Sequence, residues 1–164
     1  MVKAERDALI ERYADGVAVL RAALAEVPAE AMRWRPAPGK WSVHEVVCHC
    51  ADSETNAAMR IRYLVGEDRP AIQGYDQDRW ATALDYGGQD AGLALAQVEA
   101  VRAWTTAFIR RLPDEAWQRD GTHSEMPGRR YTAASWLEIY AEHLEVHARQ
   151  IRRNLAAWQA RTDA

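Results

Sequence analysis

Apolar positions in this chain recur at the spacing of helices. Leu9, Tyr13, Val17, Leu20 and Leu24 stand three or four residues apart, which predicts an amphipathic helix over about residues 2–27, with Pro28 beyond its end. Val43, Val46, Val47, Cys50, Ala57, Ile61 and Leu64 predict a second helix over about residues 43–65, ended by Gly66. Its start is marked twice: Ser42-Val-His-Glu45 is a capping box, and Trp41 is placed for a hydrophobic staple with Val46. Leu93, Ala96, Ala100, Trp104, Phe108 and Leu112 give a third helix, over about residues 91–112, its apolar face; Pro113 stops it. A fourth runs from an N-cap at Thr132 to about residue 157. No run of useful length alternates with the period of a strand.

The connections are long. Residues 28–40 carry Pro28, Pro36, Pro38 and Gly39, and residues 121–130 are polar with a turn at Pro127-Gly128. Residues 66–88 form the longest, with a short helix at about residues 76–84. At roughly 3.3 Å per extended residue this segment is able to cross the mouth of a bundle. Tyr75 and Trp80 would then be aromatic walls of a pocket, with Asp76, Asp78 and Arg79 as polar contacts. An internal echo, Val27-Pro28-Ala-Glu30-Ala31 against Leu112-Pro113-Asp-Glu115-Ala116, precedes the second and fourth helices. The expectation is an all-α fold, a four-helix bundle with long connections, as one domain over residues 1–164.

Composition narrows the function. A formal charge of −3 with no basic block argues against nucleic acid as a partner. No apolar run approaches the ~20 residues that span a bilayer, and the first residues are too charged for a signal peptide, so a cytoplasmic protein is expected. Cys48 and Cys50 point roughly 160° apart on one helix, which excludes a mutual disulfide and favours two small buried hydrophobes. Seven Trp against one Phe suggests that some indoles line a pocket or an interface.

The chemistry concentrates in histidines. His143 and His147, four residues apart on a helix, differ by about 40° in azimuth and ~6 Å in rise, so both face one ion. His49, on the second helix at the edge of its apolar stripe, is placed to be the third ligand. Three neutral imidazoles suit zinc, nickel, iron or copper, and three protein ligands leave a coordination position open, as in catalytic sites. His44 reads as a first-turn surface residue, and His123 sits in a polar loop near the bundle mouth. Asp52, Glu54, Glu142 and Tyr140 are near the ligands in sequence as candidates for a general base, none with a diagnostic spacing; Asp52 and Glu142 are also candidates to orient an imidazole from behind. Arg62, Arg79 and Tyr75 are candidate contacts for an anionic substrate.

The stretch Lys40-Trp41-Ser42-Val43-His44-Glu45, continuing through His49 to Ala51-Asp52-Ser53-Glu54, resembles the second-helix signature of the DinB-like superfamily. His143-Leu-Glu-Val-His147-Ala-Arg-Gln150-Ile151 is similar to that family's last-helix H-x-x-x-H. Residues 69–81 are closer to its YfiT-like branch of metal-dependent hydrolases, and the whole resemblance runs from about Arg35 to Ile151. It implies a four-helix bundle, often a homodimer, that binds zinc or nickel through His49, His143 and His147. The cysteines flanking His49 depart from the usual apolar neighbours and leave a redox role open.

Such a site supports hydrolysis of a small-molecule substrate by metal-activated water. It equally supports transfer of a small cellular thiol, because a coordinated thiol is deprotonated. A third reading is a non-enzymatic stress or binding protein in which the metal only ties two helices together.

Overall fold

The periodic segments fold as helices close to their predicted bounds, and their caps are those written in the sequence. The computed structural model describes residues 1–161. The long helices are α1 (Lys3–Ala25), α2 (Val43–Gly66), α4 (Ala91–Ile109) and α5 (Ala133–Ala160), with α3 (Gln77–Ala83) a short helix between α2 and α4. Ser42 caps α2 reciprocally with Glu45: the Glu45 amide donates to Ser42 Oγ (3.3 Å) and the Ser42 amide to Glu45 Oε2 (2.9 Å). Thr132 and Ser135 make the same exchange at the start of α5. The echoed Pro28 and Pro113 segments each open a short 3₁₀ turn.

Cross-helix contacts fix the directions. α1 and α5 run the same way: Arg12 pairs with Glu145 (2.6 Å), and further along Arg152 pairs with Glu26 (3.1 Å). α2 and α4 also run the same way, with Gln97 donating to Thr55 (2.7 Å) and Arg62 reaching Thr105 (3.4 Å). α5 opposes α2, since Trp136 donates to the Ala57 carbonyl and Asn154 to that of Trp41, each at 2.9 Å. Because α2 and α4 are parallel, the chain between them must return the length of α2, whose 24 residues span ~36 Å. That return accounts for the long 67–90 segment.

The third helix turns a different face inward from the one expected. Ala94, Val98, Arg102, Thr105, Thr106 and Ile109 are buried on α4, whereas Leu93 is 72% and Trp104 57% exposed. A count of apolar residues missed this because an arginine and two threonines occupy the inner face. The guanidinium of Arg62 lies over one face of the exposed Trp104 ring, 3.2 Å from its centroid.

A minimal sheet, absent from the sequence expectation, ties two connections together over one end of the site. β1 (Ala71–Ile72) pairs in parallel with β2 (Asp120–His123), which pairs antiparallel with β3 (Tyr131–Thr132). Strands of two to four residues are too short to show alternation. Gly121 is required here, because a Cβ would stand 2.2 Å from the Pro70 carbonyl oxygen. Among the described residues, no helix is long and apolar enough to cross a membrane.

The core has two apolar parts. One holds Val46, Val47, Cys48, Cys50, Leu144 and Ile151; the other holds Tyr13, Ala57, Ile61, Trp136 and Leu137. Between these stretches of α2 and α5 lie Ser53, Glu54 and His143, a polar layer inside the bundle.

Candidate metal centre

Antiparallel packing of α2 on α5 brings His49 to His143 and His147. Each imidazole offers one nitrogen, and the three nitrogens lie within 4.8 Å of one another. His49 is fully buried, with the Trp41 ring against it at 4.8 Å between centroids. Neither of its ring nitrogens has a hydrogen-bond partner among the described residues. A buried imidazole without a partner is costly, so this orphaned pair calls for a ligand.

The tautomers of the other two are set from behind. His143 Nδ1 lies 2.7 Å from Glu54 Oε1, and His147 Nδ1 lies 2.9 Å from Gln150 Oε1. Both partners are oxygens that only accept, so each Nδ1 carries a proton, and a neutral ring then keeps its lone pair on Nε2. Those two Nε2 atoms face each other at 3.2 Å. Two lone pairs so placed repel unless a cation lies between them. Two nitrogens ~2.0–2.1 Å from one tetrahedral zinc would stand ~3.3 Å apart, so the spacing fits a shared ion. Ser53 Oγ, 3.2 Å from His143 Nε2, is the nearest other donor.

Electrostatics keep these rings ready to ligate. Burial, then the neighbouring His147 and His143, pulls His49 down to about 3. Burial and His143 pull His147 down to about 4. Both are therefore neutral at pH 7. For Glu54, burial pushes upward, but Arg102 and His143 outweigh it and hold the carboxyl at about 2. Arg102 grips both oxygens of Glu54 (2.6 and 2.7 Å) and also donates to the Tyr13 and Tyr140 carbonyls (2.5 and 3.0 Å). One buried arginine thereby joins all four long helices behind His143. Gly16 makes room for it, since a Cβ there would stand 3.1 Å from Arg102 Nη1.

The residues expected to orient an imidazole lie elsewhere. Asp52 accepts from the Tyr86 hydroxyl (2.7 Å), and Glu142 is exposed, 3.5 Å from Arg12. Glu54 and Gln150 take that place. Gln150 was readable as the residue one turn after His147, whereas Glu54 meets its histidine only across helices. His44 is buried, not on the surface, because the preceding loop folds back and the Met32 carbonyl accepts from its amide (2.9 Å). Cys48 and Cys50 lie in the apolar core, with burial pushing the Cys48 thiol up to about 11 and Cys50 well upward; the Cys48 thiol donates to the Tyr86 carbonyl (3.6 Å), and neither sulfur stands with the three clustered imidazoles.

A cavity of about 180 Å³ opens beside His143, lined by Ser53, Arg60, Tyr75, His123 and Tyr140 among others. Tyr75 is thus at the site, and Trp80 stacks behind it at 4.1 Å. Arg62 and Arg79 do not line this cavity. Arg60 does, and its signal was the spacing His49, Ser53, Arg60, four and seven residues apart on one helical face. A larger groove of about 480 Å³ is lined by Arg35, Lys40, Trp41 and Asp78 but by none of the three histidines. The smaller cavity is the one with chemistry.

Comparison with known proteins agrees with this geometry. The family model of the DinB superfamily matches residues 12–151. A Bacillus subtilis protein named "Putative metal-dependent hydrolase YfiT" is 31% identical over 113 residues, 69% of this chain and 63% of its own length. A like-named protein of Oceanobacillus iheyensis is 30% identical over 69% of this chain and 64% of its own. The match thus spans just under two thirds of these relatives. The solved structure of B. subtilis YfiT, described as a "probable metal-dependent hydrolase with an unusual four-helix bundle topology", superposes with a TM-score of 0.85 at 27% identity, covering 94% of this chain and 87% of that one.

Proposed function

The chain belongs to the DinB superfamily, and we propose that it is a metal-dependent hydrolase of small molecules. His49, His143 and His147 are the residues that would hold one divalent transition ion, zinc or nickel. The observation that carries this reading is the pair of Nε2 atoms facing each other at 3.2 Å with both Nδ1 protons engaged elsewhere. The names of the relatives support it. An ion held by three protein ligands keeps a position open, polarises a carbonyl and lowers the pKa of water towards neutrality.

The chain's own residues supply the rest. Glu54 and Gln150 fix the tautomers. Tyr140 is pushed up to about 12 by burial, against the pull of Arg60, and so stays protonated at pH 7. Its hydroxyl accepts from Arg60 Nη1 (2.8 Å) and keeps its own proton to donate to a substrate oxygen. The Trp41 ring packs against that of His49.

The test is turnover of a panel of simple esters and amides by zinc- and nickel-loaded protein, with His147→Ala as control. Hydrolysis by the loaded wild type alone supports the reading. Turnover that requires an added low-molecular-weight thiol would replace it with S-transfer. We also propose a homodimer, with its contact on the apolar residues Met59, Tyr63, Leu93 and Trp104 of α2 and α4, each of which is exposed.

A further inference from the structure

Among the described residues three arginines are buried, Arg6, Arg60 and Arg102. Arg6 is paired with Asp114 and Arg102 with Glu54. Arg60, 8% exposed, has no carboxylate partner among the described residues. Its Nη1 donates to the Tyr140 hydroxyl (2.8 Å) and its Nη2 to the Gln73 carbonyl (2.9 Å), both neutral acceptors. Its Nε is buried with no hydrogen-bond partner among the described residues. A guanidinium carries five N–H donors and stays charged at any working pH, and a buried charge is ordinarily paired. Arg60 therefore lacks a counter-ion, and it lines the cavity that His143 also lines.

We propose that this cavity binds the carboxylate of a small substrate on Arg60, so that the substrate is an acid whose reacting bond lies towards the three histidines. The proposal deepens the hydrolase reading and rests on it only for the fate of the bound acid. A guanidinium and the oxygens of a carboxylate match in a two-bond fork, stronger than a neutral contact. Neither aromatic neighbour supplies a negative charge: the Tyr75 ring centroid lies 5.8 Å from Arg60 Cζ, and burial and Arg60 both lower the pKa of His123. The cavity's lining carries one carboxylate, Glu125, and that side chain is mostly exposed at the mouth. A space of about 180 Å³ is below the ~300–1,000 Å³ of drug-sized sites, which selects a small acid.

The experiment follows the Arg60 Nε–H resonance by NMR in the full-length wild type, both zinc-loaded and chelator-stripped. N-acetylglycine and succinate are added up to about 10 mM, beside N-acetylglycinamide and succinamide as neutral counterparts and inorganic phosphate as the other oxyanion. The expected result is a saturable shift with the carboxylates in both metal states and none with the amides. Arg60→Gln should weaken N-acetylglycine binding at least tenfold and Arg60→Lys less. A shift seen only with zinc would put the acid on the metal, and a shift with phosphate alone would name another ligand class. Either result, equal response to the amides, or no shift at all overturns the proposal. Because binding is read without turnover, failure of the hydrolase reading would not produce any of these outcomes.

Discussion

Glu54 touches His143 across two antiparallel helices, its Oε1 2.7 Å from Nδ1, while Arg102 holds both of its oxygens. The contact fixes which nitrogen of His143 faces the site, and the ion pair keeps the carboxylate charged where burial would neutralise it. Glu54→Gln removes the charge and leaves Arg102 buried and unpaired. Metal affinity should drop ~10–100-fold, as for outer partners of ligating histidines, and stability by about 3–5 kcal/mol. Chelator competition and thermal melts measure the two separately. Unchanged affinity in a folded Glu54→Gln protein would mean that Glu54 does not orient His143.

Acid should weaken the metal-free protein in a defined order. Folded His49 and His147 protonate only near 3 and 4, against 6.5 for the free side chain. Between those values the unfolded chain binds more protons, so stability falls as pH drops from about 6.5, by about 1.4 kcal/mol per unit for each such proton. Glu54, lowered from 4.5 to about 2, adds a later loss: its stabilisation is full above 4.5 and disappears as pH falls through 2. Urea midpoints at pH 7, 6 and 5 check this. A flat profile would show that the two imidazoles are not held neutral by burial.

Most of the frame was legible in the sequence, because helices announce themselves locally. The caps at Ser42 and Thr132, the stop at Pro28 and the apolar stripe of α2 depend on neighbours within a turn or two. What failed depended on distant residues. The inner face of α4 is set by Arg102, whose burial makes sense only once Glu54 stands opposite, so the apolar count chose Leu93 and Trp104 instead. The three histidines were found because each is a rare residue on a helix. Glu54 was one carboxylate among many until the fold placed it against His143. His44 was misassigned because the loop that covers it carries no helical period.

Tyr75 lines the cavity beside His143 and stacks on Trp80. Tyr75→Ala should reduce turnover of an identified substrate at least tenfold, about 1.4 kcal/mol of barrier, while one metal per chain is retained. Full activity in this variant would make the 67–90 segment a mere connection.

The proposed contact on α4 has its own test. Trp104→Glu puts a charge on a face where Trp104 is 57% exposed and Leu93 72% exposed. Sedimentation should change from a dimer in the wild type to a monomer in the variant, with metal content unaltered. A monomeric wild type would remove the interface.

The most direct measurement is the position of the metal itself. Crystals of metal-loaded wild type, measured at the absorption edges of zinc and nickel, should show one anomalous peak per chain, ~2.0–2.1 Å from Nε2 of His143 and of His147 and from a ring nitrogen of His49. His49→Ala protein should lose that peak while keeping its fold, and His44→Ala and His123→Ala should keep it. A peak away from the three imidazoles, or one that persists at full height in His49→Ala, would contradict the three-histidine centre.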